Sequence, residues 1–108
     1  MSEETPDLKT ALFAEANQMK EIKISDKLTV TIKPLTWQQE VAIAGAAANL
    51  VKRGVPQEVA DREYMKLTVH AGLVKPEMTE AEVERLKIGI VVALSSEIGK
   101  ISGGIQKK

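Results

Sequence analysis

The sequence predicts an α+β fold, mainly α: an N-terminal β-hairpin packed on a bundle of three to four helices, preceded by a short N-terminal helix. Three observations predict it. Between residues 20 and 33 apolar and polar residues alternate strictly, the mark of strands with one buried face. From residue 36 onward apolar residues recur at steps of three and four, the mark of helices. Gly, Pro and capping residues cut that second part into separate segments. The 108 residues suit one domain and not two.

A first helix is expected from about Pro6 to Asn17, with Thr5 as its cap and Pro6 at its first position. Leu8, Leu12, Phe13 and Ala16 make a narrow apolar stripe. About twelve residues hold a helix only marginally without tertiary contacts, so this segment docks or awaits a partner. In the hairpin, Ile22 and Ile24 form one apolar face with Leu28, Val30 and Ile32, and Ser25-Asp26-Lys27 makes the turn. Two strands alone are unstable, so helices must cover that face.

Pro34 stops the second strand. Thr36 and Gln39 form a capping box, and a helix runs from Trp37 to about Arg53, closed by Gly54. Trp37, Val41, Ala44, Ala48 and Val51 step by 4, 3, 4 and 3, and are expected to face inward. Pro56 opens the next helix, which reaches about Leu73 with Ala60, Tyr64, Leu67 and Ala71 on one side. Thr79 and Glu82 form a second capping box before a short acidic helix whose Val83 and Leu86 point inward. A last helix covers Ile88 to Ser102, with Ile90, Val91, Leu94, Ile98 and Ile101 along one face and Gly103-Gly104 as its stop. The expected organisation is an N-terminal helical segment over 1–19, one domain over 20–104 and a loose tail over 105–108.

Composition excludes several classes. Fifteen Lys and Arg balance fifteen Asp and Glu, which argues against an obligate nucleic-acid binder. Aromatics are 3% of the chain, so base stacking has almost no platform and the core must be aliphatic. With no Cys there is no disulfide, thiolate nucleophile or Cys-rich zinc site. The acidic, polar N-terminus is the reverse of a signal peptide, and no apolar run approaches the roughly 20 residues of a membrane span. These features predict a soluble, intracellular, non-enzymatic domain. Charge is nonetheless uneven: residues 1–19 carry four acids and one base, residues 76–86 four Glu and one Arg, and residues 87–108 four Lys and one Glu.

Catalytic groups are scarce. His70, the only imidazole, has Lys66 and Val74 one turn away, so no metal-ligand spacing includes it. Glu80, Glu82 and Glu84 suit a helix start, where the dipole favours acids. Ser95-Ser96 has no nearby His or Lys to activate it, and the isolated glycines make no phosphate loop. Neither a catalytic residue, a cofactor site nor a metal site is expected. Trp37 reads either as a staple between helix and hairpin or as an anchor for a partner. The small residues Ala44, Gly45, Ala46, Ala47 and Ala48 permit close approach of another helix, from within the chain or outside it. The candidate partner contacts are Trp37, Ala44, Ala47, Ala48, Leu94, Ile98 and Ile101, of which most serve equally as core.

The order of parts carries a resemblance. A basic hairpin ends in Ile32-Lys33-Pro34-Leu35-Thr36 and a helix begins at once with Trp37-Gln38-Gln39-Glu40. Later come Met78-Thr79-Glu80-Ala81-Glu82-Val83-Glu84-Arg85-Leu86 and an aliphatic helix closing on Ile101-Ser102-Gly103. Over residues 20–104 this resembles the small tail assembly chaperones of tailed bacteriophages. The resemblance implies a protein of the host cytoplasm, absent from the finished virion, that binds the tape measure protein while the tail tube protein polymerises around it. It also implies a possible homo-oligomer and a longer second product made by ribosomal frameshift, for which Lys107-Lys108 would supply a slippery codon pair. The alternative is a small self-assembling structural protein of a phage tail or neck.

Overall fold

The computed structural model describes residues 4–16 and 18–103. Its elements run α1 (Glu4–Ala16), β1 (Lys20–Ser25), β2 (Leu28–Ile32), α2 (Trp37–Lys52), α3 (Gln57–Gly72), β3 (Leu73–Lys75), α4 (Glu80–Val83) and α5 (Ile88–Ser102). This is the α+β, mainly helical fold that the sequence predicts. The expected positions of Gly104, the 105–108 tail and the side chain of Ala16 lie outside the described residues.

The sheet has the order β1-β2-β3, antiparallel throughout. Ile22 pairs with Val30, and Lys20 with Ile32. The core gathers around the inner face of β2: Val30 and Ile32, then Val69 from α3, Leu73 from β3, Val83 from α4, and Val91, Leu94 and Ile98 from α5. Ile22, Ile24, Leu35, Met65, Met78, Leu86, Ile90 and Ile101 pack around it. The core is aliphatic, as the scarcity of aromatics requires. α3 is the central helix, with α2 on one side and α5 on another.

α3 and α5 meet closely at Gly72, the last residue of α3. A Cβ there would stand 2.7 Å from Ile98 Cδ1 and 2.8 Å from Cγ2. The far end of α5 is tied to the strand–helix connection. The Ser102 hydroxyl donates to the Ile98 carbonyl at 2.6 Å and accepts from the Leu35 amide at 2.8 Å. Both capping boxes exist. Gln39 and Glu82 amides donate to the Thr36 and Thr79 hydroxyls, and the two carboxyl or amide side chains accept from the threonine amides in return.

Several expectations are corrected. α1 begins at Glu4, so Thr5 lies inside the helix and does not cap it. Leu28 is exposed, because the pairing shifts register between Lys23 and Ser25 and leaves the turn end of β2 out of the alternating pattern. β3 is an element that the sequence reading missed. It is three residues long, and Leu73 and Val74 continue the apolar pattern of α3 without a break. The largest correction concerns α2. Trp37, Val41, Ala44, Ala48 and Val51 face outward, and the buried side carries Ile43 with the partly covered Gln39, Ala47 and Leu50. At 100° per residue the centres of the two stripes lie about 125° apart around the helix. The outward stripe, with Trp37, Val41 and Val51, is the more apolar of the two, so side-chain size does not set this orientation; α2 packs on α3 with Ile43 as its one buried residue. Trp37 therefore does not staple α2 to the hairpin.

Thr68 is buried in α3, and its hydroxyl has no hydrogen-bond partner among the described residues. An unpaired buried hydroxyl costs about 1–3 kcal/mol. Thr68→Val keeps the shape and removes that cost, so urea unfolding is expected to show a gain of about 1 kcal/mol. Thr68→Ser keeps the hydroxyl and loses a methyl group, and shifts the midpoint the other way.

Candidate interaction surface

The outward side of α2 is the feature that most calls for a function. It starts from the Thr36 cap, which fixes where the helix begins and so which residues share a face. Trp37, Val41, Ala44, Ala48 and Val51 then fall within about 80° of arc over about 21 Å of helix. Trp37 is 83% exposed, Val41 52% and Val51 41%. Ala44 and Ala48 lie exposed between them, and beside them a Cβ on Gly45 would meet nothing within 4 Å. Large apolar groups at both ends and small ones in the middle make a shallow strip that another helix can approach closely. The 4-3-4-3 step is also the repeat of a coiled-coil seam.

Of the residues named from sequence, Trp37, Ala44 and Ala48 come together on this strip. Ala47 is turned towards the partly covered side. Leu94 and Ile98 belong to the core at 2% and 0% exposure, so they offer no surface to a partner. They sit in one cluster with Val30 and Ile32 of β2, Val69 of α3, Leu73 of β3 and Val83 of α4. Ile101 is half-buried and lines a small recess of about 210 Å³ with Gln18, Met19, Lys20 and Pro34. Val41 and Val51 complete the strip. Their spacing was legible in the sequence, but as part of an inward face.

The other polar features hold the fold. His70 Nδ1 lies 2.9 Å from the Met78 carbonyl, which can only accept, so that nitrogen carries the proton and fastens the chain leading to α4. His70 lines an open recess of about 550 Å³ with Lys33, Met78 and Glu82 among others, and Thr79 there is occupied in its capping box. Lys66 on α3 reaches Glu84 at 2.7 Å, Glu63 at 3.1 Å and Glu80 at 3.7 Å, so α4 is bound to α3 by charge. Among the described residues no group of three or more His, Cys, Asp and Glu stands together to hold a metal ion. Nor is any described helix long and apolar enough to cross a membrane.

Two groups make the fold sensitive to alkali. The hydrogen bond to Glu84 is the main cause holding the Lys66 ammonium above its ordinary pKa of 10.5, against the opposing pull of burial. Burial first, then the Glu40 carboxylate that accepts its hydroxyl proton at 3.1 Å, raises Tyr64 above 10.0. In both cases the folded chain holds the proton more tightly than the unfolded one. Their contribution is fully present below the unfolded values and is lost as pH rises through the folded ones. Unfolding free energy is expected to decline from about pH 10 upward. Tyr64→Phe and Lys66→Met should each flatten part of that decline in urea titrations at successive pH values.

Compared with known proteins, the chain matches no family model, no curated protein and no solved structure.

Proposed function

We propose that this chain is a tail assembly chaperone of a tailed bacteriophage. It binds the helical tape measure protein in the host cytoplasm while the tail tube protein assembles, and it leaves before the virion is complete. The observation that supports this reading is the exposed seam on α2. A long amphipathic chain needs its apolar stripe shielded before assembly, and a heptad-spaced strip on a small domain is suited to do so in a helix-to-helix mode. Repeated weak sites along one extended partner would give firm overall binding from modest single contacts. The role is one of binding, with no catalytic group and no cofactor.

The test is co-expression with the tape measure protein encoded by the same phage. The wild-type chain is expected to keep that protein in the soluble fraction and to co-purify with it. Val41→Lys with Ala48→Lys places two charges on the exposed seam, where the core is untouched, and is expected to weaken binding at least about thirtyfold, as loss of a central hot spot does. No gain in tape measure solubility with the wild-type chain would overturn the reading. Mass spectrometry of purified virions separates the alternative, since a small self-assembling structural protein would be found there and a chaperone would not.

A further inference from the structure

The α2 seam is not the only unpartnered apolar face. On α1, Leu8 is 67% and Leu12 72% exposed, and Ala11 beside them is exposed too. So among the described residues of a single chain both faces stay open. They match in length, because thirteen helical residues span about 20 Å and the seam about 21 Å. They also match in charge. The first turn of α1 contains Glu4 and Asp7 in its sequence, whereas α2 ends at the exposed Lys52 and Arg53. An antiparallel pairing sets that acidic end against the basic one and opposes the two helix dipoles.

We propose that α1 of one copy docks antiparallel on the outer face of α2 of a second copy, and that the exchange is mutual. A two-fold axis then lets each copy give one α1 and receive one, so that both open faces are covered at once. The two-fold exchange doubles the area that one helix pair would bury. With formal net charge zero, the copies approach without mutual repulsion. Both occupants use the outer face of α2, so the dimer and the complex with the partner proposed above exclude each other; Leu8→Lys with Leu12→Lys removes only the dimer contact and so separates the two.

Sedimentation of the full chain from micromolar to millimolar concentration tests it. The mass is expected to rise from one chain to two. Trp37 is the only tryptophan, so its emission should shift to the blue over the same range as its ring is covered. Leu8→Lys with Leu12→Lys, and separately Val41→Lys with Ala48→Lys, should each weaken association at least about tenfold, as loss of central contacts does. Circular dichroism should stay unchanged, since all four positions are exposed. A mass of one chain throughout would overturn the proposal. So would undiminished association of the Leu8→Lys, Leu12→Lys variant, which would place the contact elsewhere, at the free edge of β1 for example. If the chain stays single while its Trp37 emission is already blue and reddens in that variant, α1 covers its own α2 and the exchange is refuted.

Discussion

Truncating Ile98 to Ala should cost about 4 kcal/mol of stability, in the upper part of the range for such changes. The side chain has no exposed surface, and it lies where α5 meets Gly72 at the end of α3. Closing the resulting cavity would need α5 to move towards α3. The Ser102 hydroxyl, bonded to both Ile98 and Leu35, holds the end of α5 in place against that movement. Domains of this size are stable by about 5–15 kcal/mol, so the variant gives up a large share of the total. Urea unfolding followed by circular dichroism should show a lower midpoint with an unchanged slope. Ile98→Val removes one methylene and should cost only about 0.5–1.5 kcal/mol.

Adding a methyl group on the other side of the same contact should also destabilise. Gly72→Ala puts a Cβ within 3.0 Å of three atoms of the fully buried Ile98 side chain. Overpacking of this kind costs about 1–3 kcal/mol, although Ala gains up to about 1 kcal/mol over Gly in helix propensity. The informative variant carries both changes. In Gly72→Ala with Ile98→Ala, the atoms that would clash are gone and the new methyl group fills part of the cavity. The pair should therefore lose less than the sum of the two single losses, by about 1–2 kcal/mol. Simple additivity would mean that the two positions do not share one packing site.

Much of this fold was legible because its signals are local. The bounds of α5, from Ile88 to Ser102, coincide with the sequence expectation. Both threonine caps were read from spacing alone, since a capping box involves only four consecutive residues. β3 left no such trace. Leu73 and Lys75 are strand residues only because β2 lies alongside to pair with them. The orientation of α2 was hidden for a related reason. Its sequence carries apolar residues on two sides, and periodicity reports that a stripe exists without saying which way it turns. Side-chain size would have pointed the wrong way, since Trp37, Val41 and Val51 outweigh Ile43 and Leu50, yet the fold turns Ile43 inside. That choice moves Trp37, Ala44 and Ala48 to the surface, and moves the candidate site from the core-lining residues Leu94 and Ile98 to the far side of α2.

The central place of β2 also has a consequence in time. Its hairpin partner β1 is made before it, but its other neighbour β3 is paired through Ile32 and Leu73, about forty residues further along the chain. At about 5–20 residues per second, translation needs roughly 2–8 seconds to supply that strand. α5, which covers the same apolar face, is synthesised later still. During that interval Val30 and Ile32 have neither β3 nor α5 to cover them, and the two strands alone are held together only marginally. The hairpin turn forms within microseconds of its synthesis, so the delay lies in waiting for the second half of the chain. Crowded polysomes would expose many such half-built sheets side by side, and the lysines at positions 20 and 23 on the outer strand give neighbouring nascent chains a like charge that discourages them from joining edge to edge.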